Sequence, residues 1–263
     1  MICLTHYTRY SPDGTRIAFV SDRSGSYEIW TCDSDGSKPV QATNFGGGET
    51  GTPRWSPDGQ QIAFDGRSTG SSDIFIVNAY GGSPHQVTTD PSAEIMPVWS
   101  NDGKWIFFGS DRAGDWQIWR VPFQGGQATQ ITKNGGYGTL GATNDFIYYT
   151  RTSGVVTAKQ SREPGVWRVP VDGGEEIRVF DQGEAPRYLF VNETGVYRYN
   201  REAKPAAEIE FYGFANKKTI RVLSFESSPR FGFGLSASPD GKWIIWSQTD
   251  RIDNDIMLVE NFR

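Results

Sequence analysis

The stretch Ser11-Pro12-Asp13-Gly14 decides the fold, because the chain repeats it. The same four residue types return at positions 56–59 and 238–241, and a variant, Ser-Asn-Asp-Gly, stands at positions 100–103. Successive copies begin 45, 44 and 138 residues apart, and the last interval fits three periods of 46. A period of this size is typical of one blade of a β-propeller.

Each repeat unit predicts four short strands. An aromatic such as Trp55 precedes the turn, and an apolar run such as Ile17 to Val20 follows it. A third run then leads into a glycine turn such as Gly81-Gly82, which suits a tight hairpin before a fourth run. Two weaker units are found by spacing alone. We therefore predict an all-β, single-domain protein over residues 1–263, a six-bladed propeller of four-stranded antiparallel blades. The predicted blades are residues 6–44, 45–88, 89–132, 133–180, 181–223, and 224–263 plus 1–5.

Closure of the ring has two solutions in the sequence. The last unit ends at its third strand, Asp255 to Val259, and Leu4-Thr5 aligns with the fourth strands of other units. The N-terminal strand is therefore predicted to complete the last blade and remove a free sheet edge. The connection from Thr5 to Ser11 is much shorter than its counterparts, however. The alternative is that Leu4 to Tyr10 is only an inner strand and that the last blade has three strands.

Composition and charge fit a propeller and argue against nucleic-acid binding. Aromatic residues make up 14% of the chain, and large flat side chains fill the thin layers between blades. The chain has 26 basic and 31 acidic residues, a net charge of -5, whereas phosphate binding requires a concentrated basic surface. The basic cluster Arg151, Lys159, Arg162 and Arg168 is interpreted as solvated loop.

The residues for catalysis or metal binding are sparse. No Gly-x-Ser-x-Gly motif occurs, and the two histidines, His6 and His85, cannot form a metal cluster by themselves. The string that begins at Asp33 resembles a calcium loop but has Asn44 where a bidentate Glu is needed. We predict no catalytic residue, no metal and no cofactor. Cys3 and Cys32 are interpreted as small buried hydrophobic residues rather than a disulfide.

The predicted ligand site lies at one end of the ring. In a four-stranded blade, the connection into strand one and the turn between strands two and three emerge on the same face, and inner-strand side chains line the channel. For the pairs Asp22-Arg23 and Asp111-Arg112, which recur in the repeat, the alternative is a structural role within the repeat. The candidate ligand-binding residues are Arg9, Arg54, Glu49, Glu94, Asp22, Arg23, Asp111, Arg112, Glu184, Arg187 and Glu226.

The repeats resemble the TolB-type, Pro-Asp-containing propeller family, strongly over residues 11–132 and 236–263. The segments 165–176 and 255–263 look like the C-terminal propeller of bacterial winged-helix transcription regulators and serine/threonine kinases. No nucleophile, base pair or metal cluster can be assembled from repeat-spaced residues, so the sequence favours a non-catalytic recognition module that binds a protein, a peptide or a small solute at the ring mouth. The resemblance implies that this module is the sensor of a larger regulator. The alternative is a propeller enzyme of carbohydrate or peptide metabolism, and a purely structural scaffold is the third possibility.

The expected cellular location depends on whether the chain is complete. No secretory signal or run of about 18 apolar residues is present. We expect a cytoplasmic protein if the chain is complete. If it is part of a longer protein, we expect a periplasmic or membrane-anchored one, with membrane contact only through an upstream segment.

Overall fold

The computed structural model describes residues 5–46, 48–67, 70–143, 145–152, 163–181, 188–227, 230–250 and 253–260. Within these ranges the chain forms antiparallel sheets in which consecutive strands pair as neighbours. In the same ranges no helix is long and apolar enough to cross a membrane.

Five of these sheets are four-stranded blades. Blade one contains β1 (Thr5–Tyr10), β2 (Arg16–Ser21), β3 (Glu28–Asp33) and β4 (Val40–Gln41). Blade two contains β5 (Glu49–Trp55), β6 (Gln61–Arg67), β7 (Asp73–Asn78) and β8 (His85–Gln86). Blade three contains β9 (Glu94–Trp99), β10 (Trp105–Ser110), β11 (Gln117–Pro122) and β12 (Thr129–Gln130). Blade four contains β13 (Gly138–Ala142), β14 (Phe146–Thr150), β15 (Val166–Pro170) and β16 (Ile177–Phe180). Blade five contains β17 (Leu189–Val191), β18 (Gly195–Asn200), β19 (Glu208–Gly213) and β20 (Thr219–Ser224).

The last sheet has three strands in the described part of the chain: β21 (Arg230–Ala237), β22 (Trp243–Asp250) and β23 (Asp253–Glu260). The prediction of six four-stranded blades is therefore wrong: the described residues form five four-stranded blades and a last sheet of three strands. Thr5, which the sequence grouped with the last unit, lies in β1 opposite Ser21. The short connection from Thr5 to Ser11 fits this pairing, since the residues from Thr5 to Tyr10 form the inner strand of blade one. Leu4 lies outside the described residues.

The repeated Ser-x-Asp-Gly turn joins strands one and two through one side-chain network. Ser56 Oγ donates to Asp58 Oδ1 at 2.5 Å and accepts from the Gln61 backbone N–H at 2.9 Å. Gly59 has φ +69°, the left-handed conformation that glycine adopts without strain. The turns that begin at Ser11, Ser100 and Ser238 repeat these contacts. The Ser and Asp side chains of the motif therefore stabilise the turns, and their hydrogen bonds lie within those turns.

The core consists of apolar layers between neighbouring sheets. One layer places Ile74 of blade two against Ile106 and Phe108 of blade three. Another places Phe19 of blade one against Ile245 of the last sheet. Burial of these side chains joins each blade to the next and the last sheet to the first, so packing closes the ring of sheets.

Candidate functional site

Each sheet contributes one inner strand to the centre of the ring, and a β-bulge interrupts most of these strands. In blades one, two and three, the bulge contains Tyr7, Thr52 and Met96, with φ values of +53°, +39° and +54°. Non-glycine residues rarely adopt this left-handed conformation, and bulges turn side chains in new directions. Here the bulge precedes, by two residues, a position whose side chain reaches the central channel.

We call the six equivalent channel positions the channel ring. Strand register defines them, since each pairs with the corresponding residue of the second strand of its sheet. Arg9 pairs with Ala18, and Arg54 pairs with Ala63. The channel ring consists of Arg9, Arg54, Val98, Gly141, Phe190 and Ser236.

All six channel-ring residues line a central cavity of about 760 Å³. The cavity lies at the end of the channel that carries the Ser-x-Asp-Gly turns, since Ser11, Pro57, Asn101 and Pro239 also line it. It therefore opens on the face opposite the one that the sequence argument favoured for the loop residues. A volume of this size suits a small organic ligand.

Arg9 and Arg54 are adjacent cations in this cavity. Arg9 is 7% exposed and Arg54 is 6% exposed. Burial lowers the pKa of Arg54 to about 10. Burial, and then the charge of Arg54, lower the pKa of Arg9 well below its usual value. Both guanidinium groups remain protonated at neutral pH, because arginine does not lose its proton in proteins.

Two tryptophans fix the backbone that carries this pair. The indole N–H of Trp55 donates to the Arg9 carbonyl at 3.0 Å, and that of Trp99 donates to the Arg54 carbonyl at 3.2 Å. Each bond joins one blade to the inner strand of the preceding blade. The aromatic residues that the repeat places before each turn therefore position the channel-ring residues as well as filling the core.

Asp65 is a half-buried carboxylate on β6 of blade two. Its Oδ1 accepts from the Thr52 hydroxyl and, at 3.2 Å, from the Met96 backbone N–H, so it holds two of the bulges. Burial raises the pKa of Asp65 to about 6, against the lowering effects of hydrogen bonds from the backbone N–H groups of Met96 and of Asp65 itself and of the charge of Arg54. Sequence reasoning missed Asp65. The signal was available, because a carboxylate stands here at the position of Val20 in the first repeat.

A smaller cavity of about 310 Å³ lies at the other end of the channel. His6, Tyr27, Glu49, Asp65 and Arg67 contribute to its lining. Burial lowers the pKa of His6, and the charge of Asp22 opposes this effect. Of the predicted ligand residues, Glu49 lies here.

The Asp22-Arg23 and Asp111-Arg112 pairs lie in blades one and three, and the contacts of Arg23, Asp111 and Arg112 described next are with residues of the same blade. Arg23 stacks over Trp30 at 5.1 Å, and Arg112 stacks over Trp119 at 4.9 Å. Arg112 also forms an ion pair with the buried carboxylate of Glu94. The Ala93 backbone N–H donates to Asp111 Oδ1 at 3.0 Å. These contacts support the structural alternative that the sequence left open.

The other predicted ligand residues lie apart from the arginine pair. Asp22 follows β2 near His6, and Glu226 is exposed after β20. Glu184 and Arg187 lie outside the described residues. Among the described members of the predicted set, the structure therefore brings together only Arg9 and Arg54 in the larger cavity.

The interpretation of the basic cluster as solvated loop is wrong for Arg151, which is buried. Its side chain is 7% exposed, pairs with Glu176 at 2.8 Å and stacks on Trp167 at 3.4 Å. Hydrogen bonds to Glu176 and Glu163 raise its pKa against the cost of burial. Lys159 and Arg162 lie outside the described residues.

Cys32 is a buried free thiol, and burial raises its pKa to about 11. Cys3 lies outside the described residues. In the described ranges, no three His, Cys, Asp or Glu side chains are grouped so that they could hold a metal ion.

Comparison with known proteins identifies the repeat. A family model described as the TolB beta propeller domain (PD40) matches residues 9–159, more than half of the chain. No curated protein matches the sequence.

Solved structures share the fold at low identity. TolB from Acinetobacter baumannii aligns with a TM-score of 0.72 at 16% identity, over 98% of this chain and 61% of that chain. A putative TolB from Agrobacterium tumefaciens gives 0.67 at 19% identity, over 99% and 91%. An oligogalacturonate lyase from Vibrio parahaemolyticus gives 0.61 at 13% identity, over 99% and 76%. This chain thus spans less than two thirds of the Acinetobacter protein, and the likenesses describe the fold alone.

Proposed function

Because this chain belongs to the TolB beta propeller domain family, we propose that it is a non-catalytic binding propeller that takes a small solute or a peptide segment into its central cavity. The observation that carries the proposal is the 760 Å³ cavity lined by all six channel-ring residues. Its size and mixed lining are those of ligand pockets in general, which combine apolar walls with a few fixed polar groups.

The walls and polar groups of this cavity have separate origins. Trp55, Trp99 and Phe190 supply apolar surface, and Arg9 and Arg54 supply charge. The tryptophan N–H groups are occupied by backbone carbonyls, so their rings offer apolar surface rather than hydrogen bonds. A bound solute would therefore be oriented by the arginines and covered by aromatic rings.

We also propose that the propeller is the sensory part of a larger bacterial regulator or kinase. The resemblance of segments 165–176 and 255–263 to such propellers supports this proposal. It is tested by the mass of the native polypeptide, detected with an antibody to residues 236–248. A species much heavier than 29.3 kDa is expected, and a free propeller of that mass would contradict the proposal.

The binding function is tested by filling the cavity. Val98→Phe adds volume to the channel ring, and Val40→Phe makes the same change on β4, where the side chain is 39% exposed. A panel of small solutes and short peptides is screened by thermal shift against all three proteins, and the melting curve of each free protein checks its folding. Compounds that stabilise the wild type and Val40→Phe but not Val98→Phe are expected. If no compound stabilises the wild type, or if Val98→Phe responds equally, binding in this cavity is wrong.

A propeller enzyme is the second candidate, and one observation favours it. Asp65, with a pKa of about 6, lines the smaller cavity together with His6, and a carboxyl group with a raised pKa suits general acid-base catalysis. Turnover of a carbohydrate or peptide substrate that Asp65→Asn abolishes would support an enzyme. Binding without turnover would support the recognition function.

A further inference from the structure

Charge is distributed unevenly around the channel ring. Two adjacent positions carry Arg9 and Arg54, and the remaining four carry Val98, Gly141, Phe190 and Ser236. The backbone at these positions is equivalent, so the repeat itself does not require arginine. One side of the cavity is therefore cationic and the other is neutral.

The two guanidinium groups are only partly satisfied by the protein. Arg54 Nη1 donates to the carbonyl of its neighbour Pro53 at 3.1 Å, and within the described ranges its other N–H groups have no protein acceptor. Arg9 Nη1 donates to the carbonyls of Thr8 and Leu235 at 2.7 and 2.8 Å, while its buried Nε has no acceptor in the same ranges. A guanidinium has five N–H donors, and leaving buried donors without acceptors is costly.

No carboxylate forms an ion pair with this pair of cations in the described part of the chain. Asp65 is the acidic group that acts on Arg54, and it does so from beyond salt-bridge distance. Asp65 Oδ1 already accepts hydrogen bonds from the Thr52 hydroxyl and the Met96 backbone N–H. Two buried like charges beside an open cavity are thus not neutralised by the protein, although buried charges are normally paired.

We propose that the cationic side of the channel ring binds an oxyanion, the carboxylate or phosphate group of a small solute. The free N–H groups of Arg54 would donate to its oxygens, because the planar guanidinium matches carboxylate and phosphate geometry, and the adjacent charge of Arg9 would add to the attraction. The Phe190 ring, 5.8 Å from the Arg9 guanidinium carbon, bounds the site on its neutral side. This inference rests on the proposed function and specifies its ligand class.

The two arginines have different parts in this site. The Arg9 bond to the Leu235 carbonyl joins β1 to β21, so Arg9 also helps to close the ring of inner strands. Arg54 makes no such connection, since its acceptor is the adjacent residue. Arg54 is therefore the residue to change when ligand contact is tested.

The test is calorimetric titration of the wild-type protein with succinate, inorganic phosphate and succinamide. Succinamide has the size of succinate without its charge, so comparing the two probes requires no mutation. Succinate or phosphate is expected to bind at least tenfold more tightly than succinamide, and added salt should weaken this binding. Succinate alone would identify a carboxylate ligand, phosphate alone a phosphate ligand, and either supports an oxyanion site.

Two variants locate the site. Arg54→Met should reduce oxyanion affinity by about ten- to a hundredfold, because hydrogen bonds to a charged group are lost. Arg67→Met removes the same charge from the exposed Arg67 side chain at the smaller cavity and should change affinity less than twofold. If Arg54→Met does not fold, the comparison of succinate with succinamide in the wild type decides alone.

Three results would overturn the proposal: no oxyanion binding, equal affinity for succinamide, or equal loss in the two variants. None of them overturns the binding function, which fails only if the solute panel does not distinguish Val98→Phe from the wild type. The two proposals can therefore fail separately.

Discussion

The two sides of the channel ring have the same backbone arrangement and different chemistry. On one side, Arg9 and Arg54 follow strained bulges and lie in blades with the complete Ser-Pro-Asp-Gly turn. On the other side, Gly141 and Phe190 occupy equivalent positions in the two blades whose sequences are the least regular. The two arginines therefore lie in blades whose sequences follow the repeat closely. Their own position, however, is one at which the repeat does not specify a residue type.

This difference separates the residues that stabilise the ring of sheets from the residues that would select a ligand. The apolar layers recur between neighbouring sheets around the ring, because each blade must pack on two neighbours. The channel ring has no such recurring residue type, since its six positions carry arginine, valine, glycine, phenylalanine and serine. Substitutions in the shared framework should therefore alter stability, and substitutions at the arginine side should alter binding.

The largest effect is expected in the framework of the neutral side, at Gly109 in β10, where blade three packs against the entry into blade four. A Cβ atom there would overlap the backbone carbonyl oxygen of Tyr137, which cannot move without shifting the entry into blade four. Gly109→Ala should lower the free energy of unfolding by about 3 kcal/mol. Gly66→Ala is the matched control, since its Cβ would meet the side chain of Phe45 at 3.0 Å, and it should cost about 1 kcal/mol. Urea unfolding measures both, and equal costs would show that the junction is not rigid.

The next effect concerns the carboxylate on the charged side. The pKa of Asp65 is raised to about 6 from 3.8, so between these values the folded protein holds a proton that the unfolded chain has lost. Stability should therefore fall as pH rises from about 4 to about 6 and should not change further above pH 6 on account of this group. Asp65→Asn keeps an acceptor oxygen for Thr52 and Met96. It should remove this pH dependence and stabilise the protein at pH 7 by about 2 kcal/mol. Thermal unfolding at pH 4 to 8 measures it, and an unchanged profile in the variant would contradict the assignment.

A smaller effect tests whether the turns between strands one and two contribute equally to stability in blade two and in blade four. Ser56→Ala removes the acceptor for the Gln61 N–H, and Thr143→Val removes the acceptor for the Phe146 N–H in blade four, at 3.1 Å. Each should cost about 1 kcal/mol in the free energy of unfolding, because a backbone donor loses its partner. A cost at Ser56 with none at Thr143 would mean that the less regular side does not depend on its turns.

The smallest effect is the pH dependence of oxyanion binding. Protonation of Asp65 removes a negative charge from the side of Arg54, so sulfate, which does not titrate in this range, should bind about threefold more tightly at pH 5 than at pH 7. His6, Glu49 and Tyr7 line the smaller cavity with Asp65, and protonation of His6 would act in the same direction. Asp65→Asn separates them: its sulfate affinity should be constant over the range, and a retained dependence would assign the effect to His6.

The sequence predicted the repeated framework well. The Ser11 and Ser56 turns, the strand order within each blade and the channel-facing arginines all follow from period and alternation, because turn chemistry and side-chain alternation are local properties. The completeness of the last blade could not be settled this way, since it depends on where Thr5 pairs, and that is a tertiary choice.

The site was less accessible to sequence reasoning for physical reasons. Which end of the channel opens into the larger cavity depends on the packing of six inner strands. The burial of Arg151 depends on Trp167 and Glu176, both distant from it in sequence. The role of Asp65 depends on hydrogen bonds to the bulges of two other strands, which no repeat pattern reports.

The most direct test of the central claim is a crystal structure of the wild-type protein grown with succinate. The oxyanion site predicts carboxylate oxygens about 3 Å from the nitrogens of Arg54, with the rest of the molecule against Phe190. Succinate bound only at the other end of the channel, or a central cavity filled only with water at saturating succinate, would contradict it.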